Sequence, residues 1–381
     1  MDNRSIIQHL CNHMIFAGIW PNPQIRNFFL KKIYKPYITI MYIAIVITGI
    51  CLCLEFEMLL RDLNSKKMIN SMTILFPSIL IMIKIVIFKS GKVMTLINTI
   101  VKEETKIFTL ENEEIQKIYN GFVDYARKSA SIIVKLIIMS TGSTLFGLST
   151  ALMSNQIEEK PTIVLVYLPF DEDKYYGASI TIQIYWYCTA SIYYSLFQNM
   201  YISLMTFVKG YLRILQYKFE NFQAKSFIED TQRVKSIIYS HQFIIKFVDE
   251  LNEIIKWWLL MEFLFSSVNI ACVIFGLINA NIFKDTINAV SLIIVLFIQQ
   301  FIFAWHANEI TLESYQISLS IYKSRWYNTT VIKNLLNTVM FRAQKPLYIM
   351  LGNFKPLTTD TVISIVNASY SYATVMTKSN S

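Results

Sequence analysis

Apolar residues occur along this chain in blocks of about 20, separated by shorter polar and charged stretches. A block of that length is what a helix needs to cross about 30 Å of hydrocarbon. The pattern predicts an all-α polytopic membrane protein with seven transmembrane helices. Six of the predicted spans, named S1 to S6, are continuous and cover residues 36–58, 70–88, 129–152, 181–207, 257–279 and 287–307.

The seventh span is predicted to be split into two helical pieces. Residues 335–351 form the first apolar piece, S7a, and residues 361–377 form the second, S7b. Lys355 and Pro356 interrupt the apolar pattern between them. The following Thr358-Thr359-Asp360 supplies side chains that favour the start of a new helix, so S7b should begin there.

Apolar residues at helical spacing continue through the polar segment 208–256. They predict that S4 and S5 extend beyond the membrane as amphipathic helices, whose apolar faces must be buried. Packing of these helices against each other and an intracellular layer between subunits both satisfy the pattern. The predicted organisation is an N-terminal segment 1–35 and a transmembrane unit 36–377. This unit has a cytosolic anchor at about 208–256 and 308–350 and S7b (361–377) as its last helix.

The distribution of charge gives these helices an orientation. The chain has 54% hydrophobic and 16% charged residues, and most of its 35 Lys and Arg residues lie in alternate loops. Positively charged loops are typically cytosolic, which predicts a cytosolic N-terminus. Because the net charge of +9 is spread over these loops, it does not indicate a nucleic-acid partner. Lys84 and Lys135 lie inside spans near their predicted cytosolic ends, where we expect them to reach the membrane surface.

The sequence argues against an enzyme, a cofactor or a metal site. The four His residues are scattered, the five Cys residues lack metal-ligand spacing, and neither a glycine-rich phosphate loop nor a nucleophile elbow is present. A G-protein-coupled receptor has its N-terminus outside, contrary to the charge pattern. A secondary transporter remains an alternative, but it would be expected to have two broken helices at corresponding positions.

The predicted outer loop 153–180 is long and carries more acidic than basic residues. It also contains an apolar run from Thr162 to Phe170. The run indicates either a loop folded onto the outer ends of the helices or a lid over a ligand cavity. The acidic surplus could concentrate cations near an outer mouth.

The C-terminal part of the chain carries its most specific pattern. It comprises Trp305-His306-Ala307-Asn308-Glu309-Ile310, Ser314, Ile317, Ser318, Tyr322, Arg325-Trp326-Tyr327, Phe341-Arg342-Ala343-Gln344-Lys345-Pro346-Leu347 and Ser369-Tyr370-Ser371-Tyr372. Together with Gly18-Ile19-Trp20-Pro21 before S1, this pattern resembles the insect odorant receptor family. The gustatory receptors are the near-family alternative. The chain looks like a tuning subunit, because it is shorter than the shared co-receptor and lacks an expanded second cytosolic loop.

The resemblance implies an odorant-gated, poorly selective cation channel. Four subunits, usually a mixture of tuning subunits and co-receptor, would surround one pore in the plasma membrane of a sensory neuron dendrite. The implied partners are a volatile small molecule, co-receptor subunits and membrane lipid. S7b would line the pore, and the cytosolic helices would hold the tetramer together.

The residue pattern of S7b fits a pore helix. Its polar residues Ser364, Asn367, Ser371, Thr374 and Lys378 recur at alternating spacings of three and four, which places them on one helix face. Such a stripe favours contact with water, although hydrogen bonding between helices is the alternative. By the resemblance, Val375 and Ser379 occupy the two gate positions, and Val375 suits a constriction that closes by dewetting.

The resemblance also places an odorant pocket among S2 to S6 in the outer half of the subunit. An apolar cavity with a few polar groups is expected. Ser143, Phe146 and Thr150 share a face of outer S3. The other candidate pocket residues are Thr73, Phe76 and Pro77 in S2 and Tyr185 and Thr189 in S4.

Overall fold

The computed structural model describes residues 5–20, 28–61, 65–153, 160–222, 227–278, 283–324 and 330–379. Within them the chain forms helices joined by short connections. The helices are α1 (Gln8–Phe16), α2 (Phe28–Arg61), α3 (Ser65–Lys89), α4 (Lys92–Leu110), α5 (Glu113–Met153), α6 (Tyr176–Glu220), α7 (Phe227–Ile278), α8 (Phe283–Lys323), α9 (Thr330–Ala343) and α10 (Thr359–Ser379). A two-residue hairpin, β1 (Met350–Leu351) and β2 (Lys355–Pro356), precedes α10.

Five helical stretches among the described residues are long and apolar enough to cross a membrane. They are Lys32–Arg61, Ser71–Lys89, Glu113–Met153, Asp230–Ile274 and Ile293–Lys323, and they correspond to S1, S2, S3, S5 and S6. The remaining two predicted spans, S4 and S7b, form α6 and α10, which carry more polar residues. An all-α fold is therefore confirmed, and hydropathy alone identifies five of its seven membrane helices.

Helix α6 lies at the centre of the molecule. Every residue from Ser195 to Leu212 is buried, and the helix contacts α5, α7 and α8 along its length. A helix that is covered on all sides can carry polar residues, provided that each finds a partner inside the protein. This position allows α6 to carry buried polar residues such as Gln198 and Thr206.

The cytosolic extensions predicted for S4 and S5 are continuous with their spans. Helix α6 runs to Glu220 and helix α7 begins at Phe227, so both continue far beyond the apolar blocks. Their apolar residues pack into the main core, in which Phe207 contacts Phe247 and Tyr211 contacts Phe243. These apolar residues of the two extensions thus pack against each other within the chain.

The break before the last helix lies earlier than the sequence suggested. S7a was expected over residues 335–351, whereas α9 ends at Ala343 and Met350–Leu351 is a strand. Pro346 lacks a backbone N–H, which favours the end of a helix before it. The strand then pairs with Lys355–Pro356, close to the predicted interruption.

The N-terminal segment is held against the helix bundle by tyrosine hydroxyls. They donate to backbone carbonyls at the end of α1, where a helix leaves such groups unpaired. The four pairs are Tyr37 with Phe16 (2.6 Å), Tyr193 with Ala17 (2.6 Å), Tyr42 with Ile19 (3.4 Å) and Tyr34 with Trp20 (2.9 Å). Gly18 makes the turn with φ of 72°, which explains the glycine of the N-terminal motif.

The start of the same segment is fixed by a buried carboxylate of α4. Glu104 accepts hydrogen bonds from the Ser5 hydroxyl (2.6 Å), the Ile6 backbone N–H (2.9 Å) and the Tyr119 hydroxyl (2.7 Å). Burial raises the pKa of Glu104, and these hydrogen bonds act in the opposite direction. The segment 5–20 is therefore connected to α2, α4 and α6 by hydrogen bonds.

Replacing Gly18 by alanine should destabilise the protein. A Cβ at residue 18 would force a left-handed backbone conformation on an L-residue and would lie 3.2 Å from Tyr37 Cε1. We expect a loss of about 1–2 kcal/mol in the free energy of unfolding. Gly142→Ala is the matched control, because a Cβ there meets nothing within 4 Å in the middle of α5. Equal thermal unfolding midpoints for the two variants would contradict the expectation.

Candidate functional site

The predicted pore residues lie on α10, which begins at Thr359 and extends to Ser379. Thr361 and Val362 are buried, and α10 contacts α7 and α8. Ser364, Asn367 and Ser371 are exposed, and Thr374 is partly buried. The side chains of Val375, Lys378 and Ser379 lie outside the described residues, so these three positions remain predictions.

In this chain, the polar residues of α10 and its apolar residues are exposed to a similar degree. Ile363 and Tyr370 are 59% and 65% exposed, although they lie off the polar stripe. The hydroxyls of Ser364 and Ser371 donate to carbonyls of α10 itself, at 3.0 Å and 2.9 Å. Hydrogen bonding to another helix was the alternative explanation of the polar stripe. The contacts described for these two hydroxyls do not support it.

The connection into α10 is attached to the part of α7 that is predicted to be cytosolic. Asn252 of α7 donates to the Tyr348 carbonyl (2.7 Å) and accepts from the Met350 backbone N–H (3.0 Å). The Gly352 N–H donates to the Lys256 carbonyl at 2.8 Å. These three hydrogen bonds fix the segment 348–352 against α7.

The predicted pocket residues do not all face the same interior space. Phe76 of α3 stacks on Phe265 of α7 with ring centroids 4.6 Å apart. Phe146 is 69% exposed, and Tyr185 is 49% exposed with its hydroxyl 3.8 Å from Met41 Sδ. Thr73, Pro77, Ser143, Thr150 and Thr189 are partly buried. In this conformation Phe146 and Tyr185 thus lie at the surface of the helix bundle, and the pocket assignment remains a prediction.

Sequence reasoning missed the polar contacts between α5 and α6. The Thr144 and Tyr187 hydroxyls lie 3.0 Å apart, and the Thr141 hydroxyl donates to Ser191 at 3.1 Å. Threonine and serine recur on two faces of outer S3, and the sequence does not say which face meets S4. In the structure, Thr141 and Thr144 face α6. Both are close in sequence to Ser143, which was predicted to line the pocket.

A groove of about 280 Å³ lies between α2 and α3. Its lining is mostly apolar and consists of Gly49, Ile50, Cys53, Leu54, Glu57, Leu75, Ser78, Ile79 and Met82. Gly49 lets Met82 of α3 pack closely against α2, since a Cβ at residue 49 would lie 2.6 Å from Met82 Sδ. None of the eight predicted pocket residues lines this groove.

The outer loop is folded onto the ends of the helices. Val164, Val166 and Leu168 are buried in one cluster with Leu52 of α2 and Leu75 of α3. The Gln183 side chain of α6 accepts hydrogen bonds from the backbone N–H groups of residues 163 and 164, at 3.0 Å and 3.3 Å. The apolar run thus packs on the predicted outer ends of α2, α3 and α6. This agrees with the interpretation of residues 153–180 as a loop folded onto the helix ends.

The expectation that Lys84 reaches the membrane surface is wrong. Its side chain is 0% exposed, and its Nζ lies 2.7 Å from Glu262 Oε2 of α7. Sequence reasoning missed Glu262, although an acidic residue inside an apolar span is itself a signal of a buried partner. Lys135, by contrast, is exposed on α5.

A second ion pair, between a buried lysine and a partly exposed glutamate, explains part of the C-terminal motif. Lys209 of α6 is 1% exposed and lies 2.5 Å from Glu309 of α8. The Lys209 ammonium also lies 4.2 Å from the centre of the Tyr125 ring of α5, and His306 packs on the same ring. Glu309 and His306 thus help to join α5, α6 and α8.

Fold and site together define a seven-helix membrane protein with buried ion pairs around a central helix and a last helix that exposes polar residues. Residues 64–370 match the family described as "7tm Odorant receptor". Because the match covers most of its length, the chain belongs to this odorant receptor family. Membership decides against the gustatory, transporter and enzyme alternatives, and it places the chain in a membrane.

Individual relatives support the same assignment. The chain is 31% identical over 186 residues to Odorant receptor 10 of Aedes albopictus, covering 47% of this chain and 49% of that one. It is 32% identical over 145 residues to Odorant receptor Or2 of Anopheles gambiae, covering 38% of each. The chain spans about half the length, or less, of these curated relatives.

The fold is shared with a solved insect olfactory receptor, OR5 from Machilis hrabei. The structure of that receptor in complex with eugenol aligns with a TM-score of 0.82 at 16% identity and covers 98% of this chain and 97% of that one. The structure described without a ligand aligns with a TM-score of 0.80. At this identity the likeness concerns the fold, and it confirms the seven-helix architecture with a separate last helix.

Removing the Gln183 side chain should loosen the outer loop. Gln183→Ala leaves two backbone N–H groups without their acceptor, at a cost of about 1–3 kcal/mol for each group that stays buried. We expect amide hydrogen exchange at residues 163 and 164 to be about tenfold faster or more. Thr181→Ala is the control, because the exposed Thr181 hydroxyl bonds only to Gly177 of its own helix. Unchanged exchange in Gln183→Ala would show that the apolar contacts alone hold the loop.

Proposed function

We propose that the chain is a subunit of an odorant-gated, non-selective cation channel that detects a volatile small molecule. The observation that carries the proposal is the exposed polar face of α10. Ser364, Asn367 and Ser371 lie on a helix placed to cross the membrane, and polar side chains at that depth favour contact with water or another subunit. Four such helices around an axis would give a hydrated path.

The proposed assembly is a tetramer with co-receptor subunits in the plasma membrane of a sensory dendrite. Large side chains remain exposed on the parts of the chain predicted to be cytosolic, as expected for a surface that another subunit covers. They are Tyr239, Leu312, Tyr315, Tyr322 and Phe341, which are between 54% and 70% exposed. The segments that carry them coincide with the predicted anchor at 208–256 and 308–350.

The proposed ligand site lies among α3, α5, α6 and α7 in the outer half of the subunit. The aromatic pair Phe76–Phe265 offers apolar surface, and the hydroxyls of Thr144 and Tyr187 offer polar groups. The Machilis receptor was solved with eugenol, a small aromatic molecule. Binding of such a ligand would depend mainly on the burial of apolar surface.

The proposed gate lies near the end of α10. Val375 would form an apolar ring that excludes water when the pore is closed, while Ser379 would close poorly and four Lys378 side chains would repel cations. A complex that contains fewer copies of this subunit and some co-receptor avoids both problems. The N-terminus would be cytosolic, as the loop charges indicate.

Expression of this chain alone should give little or no odorant-evoked current. Co-expression with the family co-receptor should restore a current, because the co-receptor supplies pore helices without Lys378 and Ser379. Whole-cell recording with an odorant panel, normalised to surface-labelled protein, measures both conditions. A robust current from the isolated chain would contradict the need for a partner, and no current in either condition would contradict the proposed function.

Single cysteines along α10 test the pore face. In the co-expressed channel, a charged thiol reagent should modify cysteines at 364, 367, 371, 374 and 378 and react little at 363, 366, 370 and 373. Because Ile363 and Tyr370 are exposed in a single subunit, low reactivity at these positions would also show that other subunits or lipid cover them. Equal reactivity on both faces would refute the pore assignment.

Replacing Val375 by serine should raise the current in the absence of odorant. A polar ring lowers the free energy of wetting the constriction, so the closed channel would conduct more often. The rank order of odorants should stay unchanged, because the proposed ligand site is elsewhere. Val375→Leu is the matched control, since it preserves an apolar ring. An unchanged basal current in Val375→Ser would argue against a gate at this position.

A further inference from the structure

The ammonium group of Lys84 lies in a box formed by aromatic rings and a carboxylate. Its Nζ is 2.7 Å from Glu262 Oε2, 4.7 Å from the centre of the Trp258 ring and 4.9 Å from the centre of the Tyr194 ring. Lys84 extends from α3, whereas the groups around its ammonium belong to α6 and α7. The box is thus built by two helices and filled by a third.

The carboxylate of the box is held in place by neutral donors of α6. The Tyr194 hydroxyl donates to Glu262 Oε1 at 3.0 Å, and the Gln198 side-chain amide donates to the same oxygen. Gln198 also donates to the Tyr194 hydroxyl at 3.0 Å. These contacts leave Oε2 directed towards the ammonium. The carboxylate would therefore stay oriented if the Lys84 side chain were absent.

Further contacts make the walls of the box rigid. The Trp258 and Tyr201 rings lie 4.4 Å apart, and the Trp258 ring also packs edge-on against Phe303 of α8 at 5.9 Å. Trp258 and Tyr201 are each at most 2% exposed. Among the described side chains, the Trp258 indole N–H, the Tyr201 hydroxyl and the Gln198 carbonyl oxygen have no hydrogen-bond partner. The surroundings of the ammonium thus offer additional polar groups.

This chemistry is what recognition of an organic ammonium requires. Aromatic faces attract a cation through their quadrupole, and the attraction is strongest where water is excluded. One carboxylate balances the charge, so the pair can be buried. We propose that Tyr194, Gln198, Trp258 and Glu262 form an alkylammonium-binding site, which the chain occupies with its own Lys84 and thereby latches α3 to α6 and α7.

The latch lies one helical turn from the aromatic contact between the same two helices. Glu262 precedes Phe265, and Phe265 stacks on Phe76 of α3. The ion pair and the ring stack thus hold α3 against α7 at two levels. The proposal does not depend on channel function, because both occupation of the site and the latch can be measured on the folded protein.

Lys84→Ala should empty the site and make it available to a free amine. The substitution removes three carbons and the ammonium, which together have the size of n-propylammonium. The neutral form of propylamine can cross apolar surroundings and regain a proton beside Glu262. We therefore expect n-propylammonium to replace the missing side chain, whereas 1-propanol, of similar size but without charge, should not.

The experiment measures the thermal unfolding midpoint of the full chain, purified in the complex that it forms in expressing cells. Lys84→Ala should lower the midpoint by about 5 °C or more, because Glu262 is left unpaired. Titration with n-propylammonium chloride should recover at least half of the loss in a saturable manner. The wild-type midpoint should not respond, since Lys84 already fills the site.

Three variants separate binding from general effects of the salt. Lys135→Ala removes an exposed lysine of α5 and should show neither a large loss nor a recovery. Lys84→Met fills the box without a charge, and Lys84→Ala with Glu262→Gln removes the carboxylate; neither should respond to the amine. Recovery in any of these variants, equal recovery with 1-propanol, or an equal response of the wild type would overturn the proposal.

Lys84→Ala could fail to accumulate as folded protein. In that case the amount of folded protein at the cell surface is compared in cells grown with and without propylammonium, again beside Lys135→Ala and the double variant. A rise confined to Lys84→Ala supports the site. No rise in Lys84→Ala, when Lys135→Ala accumulates normally, refutes it.

Discussion

Polar groups inside a bilayer have no water to replace a lost partner, and this constraint organises the whole molecule. Among the described residues, two ion pairs with a buried lysine lie on or beside one central helix, α6. Lys84 finds Glu262 next to α6, and Lys209 of α6 itself finds Glu309. Each pair joins helices that are distant in sequence, so the same contacts that neutralise the charges also determine which helices are neighbours. A lost partner would leave an uncompensated buried charge, at a cost of about 3–5 kcal/mol.

The same constraint explains the difference between α6 and α10. Neither helix is among the five described stretches that are apolar enough by composition to cross a membrane, yet α6 is buried from Ser195 to Leu212 and α10 exposes Ser364, Asn367 and Ser371. In α6, Lys209 pairs with Glu309 and the Gln216 side-chain amide donates to Glu313, so these polar groups find partners within the chain. In α10, the hydroxyls of Ser364 and Ser371 donate to carbonyls of the same helix, and their oxygens can still accept hydrogen bonds from water or other groups. The described partners of α6 thus lie inside the chain, whereas the exposed hydroxyls of α10 keep an acceptor for groups outside it.

Sequence patterns gave the fold class because they report local properties. The length of the apolar blocks identified the spans, and the cap residues before Asp360 placed the start of α10 within two residues of its observed position. The family motif around Trp305 identified the family before any contact was known. By contrast, the extent of S7a was wrong, because the effect of Pro346 and the pairing of β1 with β2 were not recognised in an apolar run.

Contacts between distant segments could not be obtained in this way. A lysine near the end of an apolar span looks the same whether it reaches the membrane surface or pairs with an acid inside the protein, and only the position of α7 decides for Lys84. The rotation of α5 was equally hidden, so Thr144 was missed while exposed Phe146 was chosen for the pocket. Neighbouring residues of one helix differ by 100° in direction, so even a correct span leaves the inward face undetermined.

The segments at the two ends of the bundle are attached to different helices. The N-terminal segment is fixed to α2, α4 and α6, and the outer loop is fixed to α6 by Gln183. Helix α7 differs, since it carries Phe265 and Glu262 near the proposed ligand site and holds the connection to α10 through Asn252. A ligand that alters the contact of α3 with α7 would therefore act on the helix that also positions the start of α10. Glu262 lies between Phe265 and Asn252 on α7, and it binds α7 to α3 and α6. A movement of α7 relative to α3 would therefore strain the ion pair of Lys84 with Glu262, unless α3 moved together with α7.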